Sequence, residues 1–207
     1  MSDPTTLVPK DLSLIADWQP IDGFNEDLAY QYTASFAKRA KSIAGGSVLG
    51  LGVDEGSGKP GASFVEVYTY CPAEGVVGPG FKSEETTTTY SGLVFLFSLF
   101  APVAALAPAT YSETTRPDWD RVYSRSYSSP KLEELVDSSA LSRKLTYKRL
   151  AIALAETRYS IYPQSFFAQS APEGFKPKFG DTISPDKTPK DRVFDVFFQL
   201  DWGLAYT

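Results

Sequence analysis

The chain has 207 residues, 43% of them hydrophobic and 22% charged, which is the composition of a globular protein long enough to bury a sizeable core in one domain. Histidine is absent and Cys71 is the single cysteine, so Ser/His and Cys/His nucleophile pairs, a zinc cluster and an internal disulfide are all excluded. The net charge of −5 disfavours a general nucleic-acid binder, whose affinity rests on Lys and Arg against phosphate, and is compatible with a basic protein partner.

MSDPTTLVPK at the start has no apolar segment behind a basic one, so neither a secretory signal nor a transit peptide is expected, and a cytoplasmic location is. After an irregular start, Asn25 to Ala44 predicts the first helix. Asn25 stands at the N-cap, Glu26 and Asp27 lie in the first turn, Lys38, Arg39 and Lys41 lie toward the end, and Gly45-Gly46 stops it. Leu28, Tyr32, Phe36 and Ile43 form the expected apolar stripe.

Ser47 to Val53 predicts a short strand. The following GLGVDEGSGKPG (Gly50 to Gly61) fails as a phosphate-binding loop: five residues rather than four lie between Gly52 and Gly58, Pro60 follows Lys59, and Asp54 and Glu55 repel phosphate. A hairpin turn is the expectation there. In ASFVEVYTYC, Val65, Val67 and Cys71 alternate with Phe64, Glu66, Tyr68 and Tyr70. This predicts a strand with one apolar face that includes a buried, inert Cys71 thiol, and a second face bearing a charge and phenols.

YSGLVFLFSLFAPVAALAPATYS (Tyr90 to Ser112) carries no charge and is long enough to cross a bilayer, which needs ~20 apolar residues. Pro102 and Pro108 oppose a continuous helix, the Thr86 to Thr89 run favours extended chain, and the flanks lack a Lys/Arg excess. The expectation is a strand over Leu93 to Phe100, buried on both faces, turning at Ala101-Pro102 into a second apolar strand, with no membrane span.

RPDWDRVYSRSYSS (Arg116 to Ser129) is the candidate binding segment. Asp118 and Asp120 form an Asp-x-Asp pair of the kind that can hold Mg²⁺ against a phosphate group, though such pairs are also common on solvated loops. If the segment is extended, Arg121, Tyr123, Arg125 and Tyr127 share one face. With Arg116 and Trp119 beside it, that stripe has the composition of a protein-binding hot spot, against the ordinary reading of a solvated strand face with Trp119 in the core. Stacking of nucleic-acid bases is the weaker possibility.

Ser129 as N-cap with Pro130 behind it predicts a short helix through Leu132, Leu135 and Val136, then a break at Ser138-Ser139 and a longer helix from Ala140 to about Tyr159. Glu133-Glu134, Arg143-Lys144 and Lys148-Arg149 give this region charged faces of opposite sign, read as solvation. Residues 160–191, punctuated by five prolines, predict a long loop that Phe166, Phe167, Phe175 and Phe179 pack on the body. Phe194 to Trp202 alternates with Asp195, Phe197, Gln199 and Asp201, predicting a half-buried last strand.

The chain thus reads as one α+β domain over 1–207, a mostly antiparallel sheet packed by two or three helices, with no cofactor. Function is expected as a non-catalytic cytoplasmic protein-binding module, an acidic inhibitor or toxin-immunity type that neutralises a partner. The alternatives are a carboxylate/Mg²⁺-dependent enzyme acting on a phosphate-containing substrate, and a structural or virion-type assembly subunit.

Overall fold

The computed structural model describes residues 7, 9–49, 62–80, 82, 84–118, 124–127, 130–177 and 191–199. Their elements run in the order α1 (Pro9–Ala16), α2 (Glu26–Ala44), β1 (Gly46–Leu49), β2 (Phe64–Tyr70), β3 (Val76–Pro79), β4 (Thr86–Ser98), β5 (Val103–Thr115), β6 (Ser124–Tyr127), α3 (Leu145–Ala155), β7 (Ser160–Ile161), α4 (Gln164–Phe167) and α5 (Val193–Phe197). Short 3₁₀ turns occupy Pro72–Glu74, Leu132–Glu134 and Ser138–Ser142. The sheet has the order β1-β2-β4-β5-β6, with β3 beside β4 and β7 beside β5. Every strand pair is antiparallel except β5 with β7, so the α+β class with a mostly antiparallel sheet holds.

The uncharged stretch forms the sheet's central hairpin, and no helix among the described residues is long and apolar enough to cross a membrane. Pairing sets large residues of β4 against small ones of β5: Phe97 opposite Ala104, Leu96 opposite Ala105, Val94 opposite Ala107. Such alternation lets two covered faces pack without voids. Pro108 sits between the Leu106↔Val136 bridge and the β6 pairing that begins at Tyr111, where its missing N–H leaves no ladder bond open.

Each face of the sheet has its own cover. Val65 and Val67 of β2 pair with Phe97 and Phe95, and Phe36 of α2 packs on both phenylalanines at 5.1 and 4.8 Å between ring centroids. The residues α2 buries are Ala29, Thr33, Phe36, Ala37, Ala40 and Ala44. This shifts the helix from the expected stripe: Leu28, Tyr32 and Ile43 are only half-buried, because alanines allow a closer approach to the sheet. The Asn25 side chain caps the helix as expected, accepting from Leu28 N at 2.8 Å. On the opposite face Phe64 meets Phe198 at 5.6 Å, and Phe167 of α4 packs on Phe194, Phe197 and Phe198.

Several expectations are corrected. Val193–Phe197 is a helix where the strand is predicted to begin, and Asp195 within it and Gln199 just beyond it, both expected at solvent, are buried; Leu200, Asp201 and Trp202 of that strand lie outside the described residues. Asp195 Oδ2 accepts from Arg192 N at 3.1 Å as a helix-start cap, while Gln199 N donates to Ser63 Oγ at 2.8 Å. A short aromatic run buried all round carries no usable periodicity, which is why it misled. Residues 130–136 form no α-helix: Val136 N donates to Leu106 O at 2.8 Å and is drawn to the sheet edge, so α3 begins only at Leu145 and ends at Ala155. Pro9 begins a helix in the stretch read as irregular. Cys71 is half-buried rather than buried, because β2 ends at Tyr70 and Pro72 turns the chain. Residues 160–177 carry β7 and α4, with Phe167 buried and Phe166 and Phe175 packed on the core. Phe179 and the 50–61 turn lie outside the described residues.

Gly92 marks the tightest approach in the sheet. A Cβ there would stand 1.9 Å from Thr69 O, whereas one at Gly78 would meet nothing within 4 Å. Gly92→Ala is expected to cost about 3 kcal/mol or more, since backbone must move to admit the methyl group. Gly78→Ala should stay within about 0.5 kcal/mol of wild type. Urea denaturation of both variants checks this pair of outcomes.

Candidate partner-binding face

The hairpin is longer than the core it crosses. Leu93 to Leu99 and Val103 to Ala107 are buried, but Thr86 to Gly92 and Thr110 to Thr115 are mostly half-exposed or exposed. Two short strands flank this outer half, β3 along Thr86 to Thr89 and β6 along Tyr111 to Thr114. The Pro72–Glu74 turn interrupts what would otherwise be one strand from β2 into β3: Tyr70 pairs with Gly92 and Val76 resumes at Thr89.

Alternation gives the outer half two different faces. On the α2 side, hydroxyls bridge the strands, Thr87 to Thr114 at 2.9 Å and Thr89 to Ser112 at 3.0 Å. On the other side Tyr70, Tyr90 and Tyr111 converge, with ring centroids 4.8, 4.9 and 5.8 Å apart. Tyr111 is buried and donates its phenol to Glu113, while Tyr70 and Tyr90 are half-exposed. A Cβ at Gly75 would come within 2.6 Å of the Tyr90 ring, so glycine there lets the turn lie against the cluster. Val77, opposite Thr88, is 68% exposed.

An ion pair closes the open end. Arg116 donates through Nε and a terminal nitrogen to Glu85 Oε1, at 3.0 and 2.9 Å, and Lys82 N donates to Glu85 Oε2 at 3.3 Å. The Arg116 hydrogen bond, foremost, holds the Glu85 carboxyl below its ordinary range.

Of the candidate segment, the structure pairs the backbone of Ser124–Tyr127 with β5. Register sets Tyr127 opposite Tyr111 and Arg125 opposite Glu113, two residues apart on an extended strand as expected. Arg116 is engaged with Glu85, and Asp118 is exposed in a turn. Trp119, Asp120, Arg121 and Tyr123, and with Asp120 the Asp-x-Asp pair, lie outside the described residues. Among the described residues, no three Cys, Asp or Glu side chains come together as a metal site. An open cleft of roughly 270 Å³ between α1 and residues 172–176 is lined by Ser13, Asp17, Glu173 and Lys176, a polar groove without a nucleophile and base pair.

Sequence reading missed Tyr90 and Tyr111 as a unit. The available signal was that they stand equally far from the Ala101-Pro102 turn, on strands that the turn folds together. No family model, curated protein or solved structure matches the chain.

Farther along the tyrosine-bearing face, Glu66 of β2 is 3% exposed and its Oε1 has no hydrogen-bond partner. Burial pushes its pKa from an ordinary 4.5 up to about 8. The folded state then binds more protons than the unfolded chain between those values, so stability falls as pH rises through the window and levels off above it. Glu85 acts with the opposite sign, losing its contribution as pH falls. Thermal or urea unfolding should show stability declining by roughly 1 kcal/mol per pH unit above pH 5, and Glu66→Gln should flatten that limb. An unchanged slope in the variant would contradict the assignment.

Proposed function

We propose that this chain is a non-catalytic cytoplasmic protein-binding module of the inhibitor or immunity type, which neutralises a partner protein through the outer face of the β4–β5 hairpin. One observation carries the reading. The half-exposed Tyr70 and Tyr90 stack with Tyr111 on a sheet face whose next strand brings Arg125 and Tyr127 into register. Tyrosine and arginine are enriched among residues that dominate binding energy, and rigid rings on a sheet lose little entropy when they dock.

Charge supports a basic protein over nucleic acid as the partner. The chain has 25 acidic against 20 basic residues, and a net acidic surface speeds encounter with a cationic protein while opposing phosphate. The ion pair at Glu85 and the hydroxyl bridges behind the cluster hold the display strands in register before any partner arrives, which lowers the ordering cost of binding.

A second reading, a structural or virion-type assembly subunit, is favoured by one feature. The outer edge of β3 has no strand partner among the described residues, and Val76 and Val77 are 70% and 68% exposed, so strand addition between copies is open to it.

The two readings separate experimentally. With a photoreactive amino acid at position 90, the binding reading expects a crosslink to one heterologous protein, competed by unmodified chain, and no crosslink from position 31 on the exposed side of α2. Tyr90→Ala should then weaken that complex by ~2 kcal/mol with little change in melting temperature. Crosslinks only between copies of the chain, together with concentration-dependent growth in sedimentation that Val77→Lys abolishes, would establish assembly instead.

A further inference from the structure

Large hydrophobic residues left in solvent among the described residues are Val76, Val77, Leu145 and Ile152, and the last two share one helix. Leu145 is 69% exposed and Ile152 64%, at the first and eighth positions of α3. Seven residues are close to two helical turns, so both side chains lie on one face. Lys148 and Arg149, also exposed, occupy the third and fourth positions after Leu145, between the two apolar ends on that face. The opposite side of the helix is held down by Leu150, Ala153 and Leu154.

A single exposed leucine needs no explanation. Here, however, two exposed aliphatic side chains, Leu145 and Ile152, bracket two cations at the spacing of anchor residues in helix-mediated recognition. Arg39 is paired with Glu156, Arg116 with Glu85, Lys144 with Glu74 and Arg192 with Asp191. Among the described residues no carboxylate pairs with Lys148 or Arg149. Other exposed cations, among them Lys10, Lys38, Lys41, Lys131 and Lys176, also lack a salt bridge among the described residues, so what sets Lys148 and Arg149 apart is their place between two exposed apolar side chains on one helix face. The Lys144–Glu74 and Arg39–Glu156 pairs tie the two ends of α3 to the Pro72–Glu74 turn and to α2, so the stripe between them is presented on a fixed helix.

We propose that the Leu145–Lys148–Arg149–Ile152 face of α3 is a docking surface for an acidic amphipathic segment of a partner protein, one carrying two apolar residues about two turns apart and carboxylates between them. Charge selects the occupant: two adjacent exposed cations between the apolar ends, with no carboxylate paired to either among the described residues, attract a segment that carries carboxylates at the matching positions. An anionic membrane offers the same charge, but two apolar side chains on a helix of 11 residues bury too little for stable anchoring. This surface is separate from the tyrosine cluster and does not depend on that reading.

The test uses the full chain and two labelled helical peptides of 18 residues, identical except that one carries Glu and the other Lys around leucines spaced two turns apart. Fluorescence anisotropy should show the Glu peptide binding at least tenfold more tightly than the Lys peptide. Lys148→Glu with Arg149→Glu should reverse that preference, and Leu145→Ser with Ile152→Ser should weaken the Glu peptide at least tenfold. All of these positions are exposed, so both double variants should melt like wild type, and Tyr90→Ala should bind the peptide unchanged. No binding of the Glu peptide, equal binding of the two peptides, or an unchanged affinity in either double variant overturns the proposal. So does a dimer that only Leu145→Ser with Ile152→Ser dissociates, which gives the face to a second copy. Co-sedimentation with phosphatidylglycerol vesicles, lost on charge reversal, gives it to a membrane.

Discussion

Twelve cross-strand pairs join β4 to β5, and the rest of the chain is arranged around the length of that hairpin. Its inner half must be covered on both faces, because Leu93 to Leu99 presents apolar side chains alternately to each side with Ser98 as the one polar interruption. A strand of that kind is stable only between two layers. The α2 helix supplies one layer through Phe36 and a row of alanines, and α4 and α5 supply the other through Phe167, Phe194, Phe197 and Phe198. Tyr159 adds a polar tie, donating its phenol to Ser98 O at 2.7 Å where the hairpin approaches its turn.

The outer half follows from the same covalent continuity with a different composition. Thr86 to Thr89 and Thr110 to Thr115 keep the extended backbone but replace apolar side chains with hydroxyls, so register is maintained by cross-strand hydrogen bonds rather than by a core. The tyrosine cluster stands at the boundary, with Tyr111 buried and Tyr70 and Tyr90 half-exposed. The inner half fixes the position of the outer half, which stands mostly at solvent. Glu66 shows how far the protected region extends, since its carboxyl on the same face is buried, and that burial raises its pKa.

Much of this was legible in the sequence where local signals and burial agreed. The α2 limits followed from Asn25 and Gly45-Gly46, and the hairpin followed from prolines inside an uncharged run of β-branched and aromatic residues. The C-terminal segment was not legible, because Phe194 and Phe197 of α5 and Phe198 at its end are all buried, and the polar residues Asp195 in the helix and Gln199 beyond it are satisfied inside the protein. Alternation in a short aromatic run cannot distinguish those cases. The candidate site was legible in part. Arg125 and Tyr127 stand on an extended strand as expected, but Tyr70, Tyr90 and Tyr111 come from three strands, and only pairing register brings them together. Arg116 illustrates the reverse: its role at Glu85, 31 residues away, has no local signature.

One continuous hairpin is thus divided into a core half and a solvent-facing half. Amide hydrogen exchange resolved along β4 and β5 tests this division most directly, because it reads the opening free energy of each segment. The account predicts that amides of 93–98 and 103–107 exchange only through global unfolding, with the full denaturant dependence of the whole protein. Amides of 86–91 and 110–115 should exchange through a smaller opening that depends weakly on denaturant. Equal protection and equal denaturant dependence along the whole hairpin would contradict the division.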